Sequence, residues 1–174
     1  MRFVPMLLVL LVLSPLMVCA QQGERPDWSP FAYLLGEWVA EGGGTPGEGV
    51  GTFSLTQDLQ QSVLIRKSHV DYPAVAGRPA FAHDDLMIIY PEDRGAFQAH
   101  YFDNEGHVIH YRIRFSSPAD SVIMVSDAVP GAPGFRFTYV KCADETLKSI
   151  FEIAPPGKPG TFAKYVEGVA HRRR

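Results

Sequence analysis

The sequence is poor in cysteine. Among its 174 residues only Cys19 and Cys142 carry a thiol, so a disulfide-stapled scaffold is excluded. It also lacks an excess of positive charge. Lys and Arg number 16 against 19 Asp and Glu, a formal net charge of -3, which removes the electrostatic footprint of a nucleic-acid binder. Charged residues are only 20% and hydrophobic ones 46%, a balance that excludes a disordered chain. No Gly-x-Ser-x-Gly elbow occurs, so the strained strand-to-helix serine nucleophile is missing. The run Gly42-Gly43-Gly44 has neither a Lys-Ser/Thr pair nor a helical pattern after it, so it is not a phosphate loop. The length suits one domain, with or without a targeting segment.

One long apolar run is present, and it stands at the start. Arg2 precedes residues 4–17, which are almost wholly apolar around Leu7-Leu8-Val9-Leu10-Leu11-Val12-Leu13. Ser14 and Pro15 interrupt the run, and Val18-Cys19-Ala20 follows. This is the pattern of a secretory signal peptide, read as residues 1–20 with cleavage after Ala20. It leaves 21–174 as the folded domain, in the periplasm or secreted. The run is short for a membrane span, and polar Gln21-Gln22-Gly23-Glu24-Arg25 succeeds it. The rival is a lipoprotein signal with the lipid on Cys19, although Met17 and Val18 stand where such signals carry small residues. Membrane attachment is expected only in that case. Without Cys19 the domain holds Cys142 alone. Its neighbours Ala143-Asp144-Glu145 disfavour a thiolate, so it reads as an inert thiol.

After a single short helix the periodicity is two. Ser29 is placed to cap that helix, Pro30 suits its first turn, and Gly36 stops it behind Phe31, Leu34 and Leu35. Strands are expected at 37–41, 50–57, 62–71, 84–90, 96–103, 107–115, 121–127, 135–142, 146–153 and 161–170. Asn104-Glu105-Gly106 marks a tight hairpin. A strand content of roughly 50–60% is far above that of ordinary domains. It is reasonable only for closed β architecture, which also removes exposed edges. The expected fold is all-β: one up-and-down antiparallel barrel of about ten strands with a short N-terminal helix. Such a barrel has room inside for side chains plus one small ligand.

Leu34-Leu35-Gly36-Glu37-Trp38 followed by Glu41-Gly42-Gly43-Gly44 resembles the opening of nitrobindin-like barrels. These belong to the calycin group with lipocalins and fatty-acid-binding proteins. Tyr101-Phe102-Asp103-Asn104-Glu105-Gly106-His107 and Phe151-Glu152-Ile153-Ala154-Pro155-Pro156-Gly157 are similar to segments of uncharacterised bacterial exported proteins. The resemblance implies a calycin-like, ligand-binding barrel and, as in nitrobindins, haem held by a histidine of the last strand. Here that strand offers only His171, at its extreme end beside Arg172-Arg173-Arg174. The expectation is therefore no cofactor, with haem on Tyr165 as the alternative.

The polar residues that could serve an interior site are few. His107, Ile109, Tyr111, Ile113 and Phe115 form the more apolar face of their strand and should point inward, with His110 outside. On the preceding strand neither face is clearly more apolar, so His100 is open to either side. His107 and His110 are three apart and fall on opposite faces, so no metal site is expected. His83, His110 and His171 read as rim hydrogen-bonding residues. Arg136 and Glu152 alternate with aromatic and aliphatic neighbours. They are either an outward cross-strand pair or, if turned inward, a bidentate anchor for a ligand carboxylate. Fatty-acid-binding barrels anchor their ligands in that general way. Arg66 is a second candidate anchor, and Tyr111 and Tyr139 bring hydroxyls to inward faces.

The expected function is binding of a small apolar or amphipathic ligand inside an exported barrel. Candidate contacts are Arg66, His100, His107, Tyr111, Arg136, Tyr139 and Glu152. An alternative is an enzyme with His100 or His107 as general acid/base and Arg136 as electrophile. Others are a haem protein and a filled scaffold with a surface role.

Overall fold

The period-two alternation becomes ten antiparallel strands in a computed structural model that describes residues 25–44, 48–92, 95–143 and 145–173. The expected signal segment, with Cys19 and Ala20, lies outside the described residues. The strands are β1 (Gly36–Gly44), β2 (Gly49–Asp58), β3 (Val63–Tyr72), β4 (Phe81–Pro91) and β5 (Phe97–Asp103). They continue with β6 (Val108–Phe115), β7 (Ser121–Ser126), β8 (Gly134–Lys141), β9 (Thr146–Ala154) and β10 (Ala163–Arg172). Each pairs with its sequence neighbours, and β1 pairs with β10 to close the barrel. The expected up-and-down topology is present.

A 3-10 helix, Ser29–Leu34, precedes β1. It differs from the expectation at its start. Ser29 lies inside the helix and does not cap it; the cap position is Trp28, without a side-chain hydrogen bond. Asp27 takes over the local polar role, accepting from the Ser29 N–H at 2.9 Å and its hydroxyl at 3.0 Å. Pro30 and the buried Phe31 and Leu34 stand as expected. Gly36 ends the segment with φ of +116°, a conformation natural to glycine. A Cβ there would come 2.7 Å from Arg172 Nη1, and that arginine clamps the same junction. It donates to the carbonyls of Leu35 at 2.6 Å and Tyr33 at 3.2 Å and lies 4.4 Å from the Trp38 ring centroid.

A second 3-10 turn, Leu59–Gln61, joins β2 to β3, where the sequence offers no Gly or Pro signal. All three residues have positive φ. Asp58 holds the turn by accepting from the Leu59 N–H at 2.6 Å. In addition, β4 starts at Phe81 rather than 84, which brings His83 into the sheet.

The interior has two halves. The helix plugs one end of the barrel. Phe31 packs edge-on to Phe97 and Phe115, with ring centroids 5.1 and 5.2 Å apart, and Trp28 lies 5.2 Å from Phe97. Above this plug Trp38, Leu64, Met87, Val122, Met124 and Leu147 are fully buried. Burying a side chain of this size contributes about 1.5–3 kcal/mol. This half is a packed core.

Candidate functional site

The other half of the barrel holds a cavity of about 340 Å³. It exists because several inward positions at that level carry little side chain: Ala40, Gly51, Ser68, Ser149 and Gly168 all line it. The walls are unlike. From β8, β9 and β10 come Phe135, Phe137, Phe151, Ile153, Tyr165 and Val166. From β4, β5 and the turn into β6 come His83, Asp85, Tyr101, Asp103, Glu105 and His107. One wall is aromatic and aliphatic, the other polar. Tyr165 reaches the cavity because the register between β10 and β9 shifts between Lys164 and Val166, a bulge of the kind that re-aims side chains.

Arg66 lies where cavity and core meet, lining both the cavity and the small void beneath it. It is 8% exposed. Its Nε donates to the Tyr139 hydroxyl at 2.6 Å, and its Nη1 donates to Asp85 Oδ1. The guanidinium also lies 5.3 Å from the Phe53 ring centroid and 5.5 Å from that of Phe137, within cation–π range. Burial works against the Arg66 charge, but Asp85 and Tyr139 outweigh it and hold the guanidinium above its ordinary value. Burial pushes the Asp85 carboxyl up against the opposing pull of Arg66 and His83.

A hydrogen-bonded chain continues toward the mouth. His83 Nε2 meets the Tyr101 hydroxyl at 2.9 Å, and its Nδ1 meets Glu105 Oε1 at 2.9 Å. Asp85 Oδ2 is 3.8 Å from His83 Nε2. Burial, reinforced by Asp85 and Asp103, holds the Tyr101 phenol far above its ordinary range. Tyr111 is raised for the same leading reason. Buried ion pairs are weak contributors to stability compared with apolar packing. A charged cluster inside an aromatic cavity makes this half of the barrel the candidate site.

The residues named from sequence divide cleanly. Arg66, Tyr111 and Tyr139 face the interior as expected, and all three line the cavity. His107 is at the mouth, not inside. Its side chain is 54% exposed, with Nδ1 held by Asp103 Oδ2 at 2.8 Å, because the tight turn ends only at Val108. His100 faces outward: Phe97, Ala99, Tyr101 and Asp103 take the inner face. It stacks on Tyr90 and lies 4.8 Å from His110 between ring centroids.

Arg136 and Glu152 are also outside, as a bidentate pair at 2.5 and 2.6 Å, with Arg136 over Phe162. The inward-anchor reading of these two is corrected, since Phe135, Phe137, Phe151 and Ile153 occupy the inner faces. The acid–base set of His100, His107 and Arg136 is corrected too, because its members do not converge on one face. His83 makes rim hydrogen bonds, as its sequence reading has it, to Tyr101 and Glu105, and it also lines the cavity with Asp85, Tyr101 and Glu105, which the sequence does not single out. Leu86, Ile88 and Tyr90 oppose Met87 and Ile89 on β4, so alternation alone selects no inner face there.

The last strand does not fit an interior haem held by histidine. His171 is exposed and pairs with Val39 and Thr146 at the plugged end. Tyr165, the alternative ligand, lines the mouth and meets Phe151 edge-on at 6.2 Å. Among the described residues no group of three His, Cys, Asp or Glu side chains has the geometry to hold a metal ion.

Seventeen chains of solved structures match this fold. One is Rv2717c from M. tuberculosis, with a TM-score of 0.63 and 16% identity, covering 87% of this chain and 100% of that chain. The fold is a calycin-like barrel. At that identity the likeness concerns the fold alone. A designed fluorescence-activating β-barrel aligns over 81% of this chain and 94% of its own, at 13% identity and a TM-score of 0.38. No family model matches the sequence, and no curated protein matches it.

Proposed function

We propose that this protein is an exported binding protein for a small amphipathic molecule held in the open half of its barrel. The observation that carries the reading is the asymmetric cavity of about 340 Å³, aromatic on one wall and polar on the other. The apolar part of the ligand packs on Phe135, Phe137 and Phe151. Its polar part faces Arg66, Tyr111 and Tyr139, with Tyr101 beside them on the polar wall. Concave, mainly apolar sites with a few placed polar groups are the ordinary form of small-molecule sites.

The test is titration with anilinonaphthalene sulfonate, followed by fluorescence. Saturable binding to the mature chain is expected, together with its loss in Ser149→Phe, which fills the cavity at a small inward position. An unaltered response in that variant, with the barrel folded by circular dichroism, would overturn the reading. Native mass spectrometry of the protein as purified reads any retained ligand by mass. Export is tested on the same material: a mature N-terminus at Gln21 supports cleavage after Ala20, and a lipid mass on Cys19 supports the lipoprotein alternative.

A further inference from the structure

The chain Glu105–His83–Tyr101 runs along the polar wall from the mouth to the cavity, and its chemistry allows two hydrogen-bond polarities. An ionised carboxylate only accepts, so Glu105 Oε1, 2.9 Å from His83 Nδ1, fixes a proton on that nitrogen. With His83 neutral, Nε2 carries a lone pair, and Tyr101 must donate to it across 2.9 Å. The tyrosine oxygen then offers the cavity only acceptor capacity. With His83 protonated, Nε2 donates to Tyr101, and the single phenolic proton of Tyr101 is released toward the cavity. Tyr101 itself stays a phenol throughout, since burial holds its proton on.

We infer that His83 sets the hydrogen-bond polarity of Tyr101, so that the cavity selects ligands with an acceptor group, such as a carbonyl or carboxylate, when His83 is protonated and ligands with a donor group when it is neutral. This rests on the binding reading above and adds the class of head group and its proton linkage. Other titratable groups around His83 are Asp85 on its own strand, Asp103 on β5, His107 in the following turn, Arg66 and Tyr72 on β3, and Tyr165 on β10. Asp85 meets Arg66 through Oδ1, and its Oδ2, 3.8 Å from His83 Nε2, lies beyond hydrogen-bond distance. Asp103 holds the turn at His107. Tyr101, at 2.9 Å, is therefore the hydrogen-bond partner of His83 Nε2 and the group whose proton is redirected.

The experiment uses two probes with one ring system, naphthoate as acceptor and naphthylamine as donor, competed against anilinonaphthalene sulfonate at about pH 5.5 and about pH 8. The expected result is a shift of about tenfold in the ratio of the two dissociation constants toward naphthoate at the lower pH, the size of one hydrogen bond. His83→Gln, which keeps hydrogen-bonding groups but does not titrate, is expected to bind both probes with a ratio that no longer moves with pH. Tyr101→Phe is expected to lose the shift while still binding anilinonaphthalene sulfonate. A full shift persisting in Tyr101→Phe would overturn the inference in favour of simple attraction between the histidine charge and the anion. A full shift in His83→Gln would overturn it as well. Failure of every probe to bind the wild-type protein would instead overturn the binding reading itself.

Discussion

Arg66 and Asp85 pair diagonally between neighbouring strands. Arg66 stands opposite Met87, and Asp85 opposite Ser68, yet the guanidinium Nη1 reaches Asp85 Oδ1 with the two side chains 9% and 6% exposed. The pair forms the floor on which the cavity rests. Removing one partner leaves the other charge buried alone. Arg66→Met is therefore expected to cost about 3–5 kcal/mol, measured by urea unfolding. Adding Asp85→Leu to it should recover most of the loss, because the orphaned charge is gone.

Asp103 supplies a pH dependence with a definite sign. Its carboxylate accepts from the backbone N–H of Glu105 at 3.0 Å and of His107 at 2.9 Å. Burial pushes the carboxyl up, but these bonds and the His107 ring outweigh it and hold it below the ordinary 3.8. A carboxyl lowered by folding contributes stability above its unfolded value and loses it as pH falls through the folded value. Asp103→Asn should thus destabilise by about 1 kcal/mol near neutrality. Urea midpoints of variant and wild type should converge in acid below 3.8.

Phe31 tests the plug. It is 0% exposed and touches the rings of Trp28 at the helix cap, Phe97 on β5 and Phe115 on β6. Phe31→Ala is expected to cost about 3–5 kcal/mol, read by thermal or urea unfolding. Below its transition the variant should still bind anilinonaphthalene sulfonate, because the cavity occupies the opposite half of the barrel.

Arg136 tests the outer face. Its pair with Glu152 is partly solvated, at 36% and 15% exposed. Arg136→Ala is expected to change stability by less than about 1 kcal/mol and to leave probe affinity unchanged. Lost affinity would restore the inward-anchor role.

Ten alternating segments and one short N-terminal helix were legible in the sequence, because period-two patterning and turn residues are local properties. Tyr111 and Tyr139 were legible for the same reason: their strands have one clearly more apolar face. His100 was not, since both faces of β5 carry aromatic residues. The turn at Leu59–Gln61 was hidden because its hydrogen bonds come from Asp58, without glycine.

Only the tertiary structure decided which inward level is filled and which is hollow. That depends on Ala40, Gly51, Ser149 and Gly168, from four strands, meeting at one height. It also decided that Arg66 meets Asp85 and Tyr139, and that His83 meets Tyr101 and Glu105. These partners are 18 to 73 residues apart, and the register of a closed sheet, rather than any linear spacing, sets which side chains touch.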